Sequence, residues 1–265
     1  MRTVKPKKFL GQHFLTDLDV ASRIADTVDA CPDLPILEVG PGMGVLTQFL
    51  MQKSRTLKVV ELDFESVAYL RRTWPQLEDS IIEDDFLKMH LDRTFSGQPF
   101  VLTGNYPYNI SSQIFFKMLD NKAFIPCCTG MIQKEVADRL CARPGTKAYG
   151  ILSILVQAWY TPEYLFTVEP HVFNPPPKVR SAVIRLTRND RQSLGCDEAL
   201  FRRVVKTTFN QRRKTLRNNL RPLLTELAPE ANTTEFLADD LFNLRPEQLS
   251  LQQFVDLTRS IHDHF

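Results

Sequence analysis

The sequence predicts an α/β protein with a mostly parallel sheet over its first two-thirds and a small all-helical domain behind it. Three observations carry that expectation. Short β-rich apolar runs alternate with helical patterns as far as residue 188, a glycine-rich turn follows the first of those runs, and helical periodicity alone remains after the polar stretch "NDRQSLGCD". The expected domains are therefore residues 1–188 and 189–265, with residues 1–20 forming a basic N-terminal segment that serves the first domain.

"ILEVG" (36–40), "LKVVELD" (57–63), "SIIE" (80–83), "FVLTG" (100–104) and "CTGMIQ" (128–133) read as buried strands, separated by the helix-plus-loop lengths of βαβ units. "SSQIFFKMLDN" reads as a crossover helix, with Ser111 placed to cap it and Ile114, Phe115, Met118 and Leu119 on one face. "YGILSILVQAWY" is an apolar helix. "EYLFTV" and "SAVIRLT" are two further strands flanking the proline-rich "FNPPPKV", and their link leaves no room for a crossover helix, so parallel order is expected to break there. Leu200, Phe201, Val204 and Val205, then "TEFLADDLF" and "LSLQQFVDLTRSI", keep a helical period to the C-terminus.

At 265 residues, with ordinary apolar and charged fractions, the chain has material for two cores and no disordered or repetitive tract. No apolar run approaches the ~18 residues of a membrane span, and the N-terminus lacks a continuous apolar stretch, so a cytoplasmic, membrane-free protein is expected. Cys31, Cys127, Cys128, Cys141 and Cys196 show no metal-type spacing and read as reduced and buried, with Cys127 and Cys128 on opposite faces of a strand. No metal is expected. The net charge of +2 hides a cluster: residues 201–222 carry Arg202, Arg203, Lys206, Arg212, Arg213, Lys214, Arg217 and Arg221 with no acid, and Arg2, Lys5, Lys7 and Lys8 open the chain. A solvated helix face usually mixes signs, so these clusters point to a polyanion partner.

"EVGPGMG" (38–44) runs from a strand into a glycine turn, the place where doubly wound sheets bind nucleotides. A dinucleotide fingerprint would need glycine at position 45, where Val45 stands. The acid-led pattern from Glu38 through Gly40 and Gly42 to Gly44 resembles instead the first motif of Rossmann-like, class I methyltransferases that use S-adenosylmethionine. Glu61, at the end of the next strand, can accept from ribose hydroxyls, and Asp85, after the third, from an adenine amine.

"NYPYNIS" (105–111) follows the fourth strand. The exocyclic amine of adenine is a poor nucleophile because its lone pair is delocalised into the ring, and two hydrogen-bond acceptors on its two hydrogens loosen that conjugation. Asn105 offers a side-chain carbonyl, the Tyr106 backbone carbonyl is held outward by Pro107, and Tyr108 can lie against the base. A bare N-x-P-Y is more often a turn than a site; its position after this strand, behind the glycine loop, reverses that weighting.

Together with "FLGQHFL", "QKEVADRL", "TKAYGILSI", "FNPPPKVRSAVIRL" and "FNQRRKTLRNNL", these segments give a near end-to-end resemblance to the KsgA/RsmA family of ribosomal RNA adenine dimethyltransferases, related to the Erm resistance methylases. The resemblance implies dimethylation of two adjacent adenosines in the 3′-terminal hairpin loop of 16S rRNA within the immature 30S subunit. It also implies cofactor contacts from His13, Leu15, Gly40, Gly42, Glu61, Asp85 and Asn105, and a flipped adenine between Tyr108 and Phe173. Arg212, Arg213, Lys214 and Arg217 would grip RNA, and a monomer is expected. His13 stands where the family usually has Asn, and Tyr106 where relatives often carry Leu or Phe. Two other readings are an Erm-like enzyme of large-subunit RNA, which "TKAYGILSI" disfavours, and a noncatalytic assembly factor, against which Glu61, Asp85, Asn105 and Tyr108 stand.

Overall fold

The computed structural model describes residues 4–7 and 10–265; Arg2 and Lys8 of the N-terminal basic cluster lie outside the described residues. The chain forms two compact units, one of residues up to Ala137 with Thr161–Arg188, the other of Asp138–Tyr160 with Asn189–Phe265. The second unit thus includes residues 138–160, which the sequence placed with the first domain. Helix α6 (Ile151–Gln157) is apolar on nearly every side and finds its partner in α7 (Glu198–Asn210).

In the first unit, β2 (Ile36–Val39), β3 (Leu57–Glu61), β4 (Ile81–Glu83), β5 (Val101–Thr103), β6 (Cys127–Gln133), β7 (Tyr160–Val168) and β9 (Ser181–Arg188) make one sheet in the order β4-β3-β2-β5-β6-β9-β7. The pairs β4–β3, β3–β2, β2–β5 and β5–β6 are parallel. Parallel order ends at β9, which runs antiparallel to β6. The chain winds from β2 to one side and returns to β5 on the other. A crevice therefore opens at the carboxyl ends of β2 and β5, where the glycine loop and "NYPYNIS" emerge.

The ends of β5 and β6 are locked together: Asn105 bridges Met131, the Tyr106 N–H donates to Met131 O at 3.0 Å, and the Met131 N–H to Gly104 O at 2.9 Å. Gly130, at φ +133°, sits so close to this turn that a Cβ there would lie 2.3 Å from Gly104 O. A second, two-stranded sheet was not foreseen: β1 (Phe14–Leu15) pairs antiparallel with β8 (Phe173–Asn174), bringing the "GQHFL" segment to the "FNPPP" loop.

Helix α3 (Phe64–Thr73) is capped by Asp63, as strand-to-helix turns favour. Helix α4 (Ser111–Asp120) buries Ile114, Phe115, Met118 and Leu119 as expected, but Ser111 does not cap it. The helix begins one residue earlier than such a cap would need, and the Ser111 hydroxyl donates backward to Pro107 O (3.1 Å) and Tyr108 O (3.3 Å), tightening the turn. The cysteines also need correcting. Cys31 and Cys127, 96 residues apart, form a disulfide, a proximity that only the packing of α1 (Leu18–Asp26) and its following turn beside β6 creates. Cys128 does face the other way and carries a thiol, as do Cys141 and Cys196.

The second unit buries Phe201, Val204 and Val205 of α7, Leu216, Leu220 and Leu224 of α8 (Leu216–Leu227), and Phe254, Val255 and Ile261 of α10 (Leu251–His264) in a common helical core, with α9 (Thr233–Phe236) beside α8. Among the described residues, no helix is long and apolar enough to cross a membrane.

Candidate active site

A cavity of about 210 Å³ lies at the crevice of the first unit. It is walled by the glycine loop, the ends of β3 and β4, "NYPYNI", and residues 10–15 crossing from the N-terminus. The glycine loop can approach this closely because Gly42 takes φ +56° and has no Cβ; one placed there would meet the Phe14 ring at 3.0 Å.

Two carboxyls lie beneath that loop. Glu61 accepts from the Gly42 N–H at 3.0 Å through Oε2 and from the Asp63 N–H at 2.9 Å through Oε1, so its orientation is set by backbone while each oxygen keeps accepting capacity. Glu38 is 1% exposed, and its Oε2 meets no donor among the described residues. Burial pushes the Glu38 carboxyl up to about 8, opposed by the Thr47 hydroxyl and reinforced by the charge of Glu61. Burial raises Glu61 as well, against the N–H groups of Asp63 and Gly42. Asp63 goes the other way despite burial, because the Lys7 ammonium, the Ser66 hydroxyl and the Glu65 N–H hold its charged form. Asp85, at the cleft's far edge, accepts from the Leu87 N–H at 3.0 Å.

On the opposite wall, the Asn105 Nδ2 donates to His13 O at 3.3 Å, which commits the amide nitrogen and leaves Oδ1 as the end available to accept from a ligand. The Tyr106 side chain turns away into the core, donating to Thr129 O at 2.7 Å, so the residue meets the cleft with its backbone. Tyr108 is half-buried, its hydroxyl bonded to Ser181 Oγ and its ring 5.3 Å from the His13 ring at 32°. Burial raises the Tyr108 phenol, against that serine. His13 Nδ1 donates to Pro175 O at 2.8 Å.

His13, Leu15, Gly40, Gly42, Glu61, Asp85, Asn105 and Tyr108 thus converge on one cavity. Phe173 does not join them. It is 3% exposed, paired with Leu15 across the small sheet and packed into the core, so the aromatic that flanks Tyr108 is His13. The basic residues separate too. Arg212 pairs with Glu247 at 2.6 Å and donates to Thr146 O at 3.0 Å and to Lys147 O, while Arg217 Nε donates to Leu237 O at 3.1 Å. Arg213 and Lys214 are exposed. Ser181 and Asp63 were missed because nothing local marks them: one is a strand residue like many others, the other reads as an ordinary helix cap.

The family model described as ribosomal RNA adenine dimethylase matches residues 3–262. The chain is 71% identical over 263 residues to the "Ribosomal RNA small subunit methyltransferase A" of Bacteroides thetaiotaomicron, covering 99% of this chain and 96% of that one. It is 62% identical over 264 residues to the protein of the same name from Parabacteroides distasonis, covering 100% and 97%. In fold it is similar to a dimethyladenosine transferase from Plasmodium falciparum, with a TM-score of 0.74 at 23% identity over 92% of this chain and 96% of that one. It is also similar to the 23S rRNA methyltransferase ErmE, with a TM-score of 0.63 at 27% identity over 92% and 99%. The expected α/β methyltransferase fold is thus present, and the chain belongs to the ribosomal RNA adenine dimethylase family.

Proposed function

We propose that this chain dimethylates the exocyclic amines of two adjacent adenosines in the 3′-terminal hairpin loop of 16S rRNA, acting in the cytoplasm on the immature 30S subunit. Its family and the name borne by its relatives support that substrate. The observation that carries the chemistry is the committed Asn105 amide: with Nδ2 held by His13 O, Oδ1 is the acceptor for one amine hydrogen, and the Tyr106 carbonyl, ahead of the fixed φ of Pro107, is the acceptor for the other.

The cleft suits S-adenosylmethionine. A buried oxygen of Glu38 without a donor and a backbone-oriented Glu61 provide acceptors for ammonium and ribose hydroxyls. When bound, that cofactor supplies a methyl group on an electron-poor sulfonium. Tyr108 holds the base in plane, a contact worth on the order of 1–3 kcal/mol. No poised base is called on, since the amine becomes acidic as it is methylated and gives its proton to water. Alignment and fixed dipoles supply the acceleration. Arg213 and Lys214 meet phosphates and set position, while the pocket chooses adenine.

Incubation with labelled cofactor and immature 30S or 50S particles, followed by nucleoside mass analysis, tests this reading. Dimethyladenosine from 30S RNA is expected; labelling of 50S RNA alone would assign an Erm-like activity instead. Asn105→Ala should cut transfer at least about 100-fold, the loss typical of one preorganised dipole, while RNA binding persists.

A further inference from the structure

We propose that His13 is a positioning residue for methyl transfer, a clasp that holds the Asn105 amide and the Tyr108 ring together and governs the second transfer to each adenosine more than the first. The inference rests on the reading of Asn105 as an acceptor for the adenine amine.

Three contacts meet at this residue, two to the NYPYNIS segment and one to the proline loop. Its backbone carbonyl takes the Asn105 Nδ2 at 3.3 Å, its ring lies 5.3 Å from the Tyr108 ring, and its Nδ1 bonds Pro175 O at 2.8 Å. A carbonyl can only accept, so Nδ1 carries the hydrogen and the side chain is a donor fixing the N-terminal segment to the proline loop. The β1–β8 pairing begins at the next residue, Phe14, and continues that attachment. Without the His13 side-chain bond, the peptide whose oxygen orients Asn105 relies on its chain neighbours, Gln12 bonded to the Lys7 N–H on one side and the β1–β8 pair on the other. Tyr108 is fixed at its far end by Ser181, so His13 completes the confinement of its ring.

The asymmetry between transfers follows from counting hydrogens. In each transfer the amine nitrogen's lone pair forms the bond to the methyl carbon as the carbon–sulfur bond breaks, the sulfur keeps that pair, and the nitrogen's surplus proton passes to water. Before the first transfer the amine has two N–H groups for two acceptors; before the second it has one. A nitrogen held by a single hydrogen bond depends on that acceptor's placement, and the site must also turn the new methyl aside. With the remaining hydrogen on Asn105 Oδ1 and the new methyl on the Tyr106 side, a loosened Asn105 slows the second transfer more than the first.

The test uses the full-length protein with immature 30S particles, reading initial rates, the ratio of mono- to dimethyladenosine by mass, and calorimetric affinity for S-adenosylhomocysteine. His13→Ala is expected to slow the second transfer by at least about tenfold and to accumulate monomethyladenosine, at S-adenosylmethionine concentrations that calorimetry shows to be saturating for each variant. His13→Asn, whose amide nitrogen falls near the place of Nδ1, should restore the parental ratio. His13→Gln, whose amide reaches instead toward the place of Nε2, should resemble Ala and serves if the Ala variant fails to fold. A parental product ratio in both Ala and Gln variants, or an equal loss of rate in both transfers at saturating cofactor, overturns the proposal. Transfer at the parental rate by Asn105→Ala would instead sink the reading on which it rests.

Discussion

Glu38 holds its proton in the folded chain up to about pH 8, whereas in the unfolded chain it is released near the ordinary 4.5. Between those values the folded state binds more protons. The contribution of Glu38 to stability is therefore complete below about pH 4.5, declines as pH rises, and is gone once pH passes its folded value. Glu38→Gln removes this titration while keeping the shape. The variant's melting temperature is expected to gain on the parent's steadily between about pH 5 and 8, and a constant difference across that range would contradict the assignment. Residues of this kind were legible in the sequence because Glu38, Glu61 and Asp85 each close or follow a strand, and strand ends in a wound sheet share one edge. Phe173 was not legible. Its motif gives its neighbours in the chain, but the pairing with Leu15 that buries it depends on a segment about 160 residues away, a distance beyond any local pattern.

At the level of elements, the positive residues from Arg212 in the α7–α8 link to Arg217 in the first turn of α8 divide into two kinds. Arg212 and Arg217 close hydrogen bonds inside the second unit, the first tying Glu247 and the carbonyls of Thr146 and Lys147 to one guanidinium. Arg213 and Lys214 project into solvent. Arg212→Ala is expected to cost roughly 1–3 kcal/mol of stability, measured by urea unfolding, with the salt dependence of RNA binding intact. Arg213→Ala with Lys214→Ala should leave the unfolding midpoint alone and reduce the slope of log affinity against log salt by about 1.5, read by filter binding. Equal effects from the two variants would erase the distinction. Composition revealed the cluster but could not sort it, since a guanidinium that caps carbonyls and one that projects into solvent have the same letter.

For the whole molecule, the break in character near residue 188 was readable from the loss of strand-type runs, and the chain does pass between its compact units there. The inclusion of residues 138–160 in the second unit was not readable, because an apolar helix announces that it will be buried without saying against what. A chain ended at residue 188 would keep α6 and lose α7, uncovering Leu152, Leu155 and Val156 or their neighbours. Such a fragment is expected to be recovered mainly as aggregate, or to bind a hydrophobic dye strongly if soluble; a monodisperse, dye-negative fragment would refute this account of the division.

The tight spot at Gly130 bears on how this protein can change. Between that position and Gly104 O there is less space than one methyl group needs, and the turn bearing Asn105 hangs from the same pair of strands. Whatever drift the rest of β6 tolerates, the smallest conceivable enlargement here would wedge the two strands apart and shift the Asn105 amide in the cleft. The geometry proposed for Asn105 is thus guarded by a missing side chain, and mutagenesis aimed only at residues lining the cleft would overlook it.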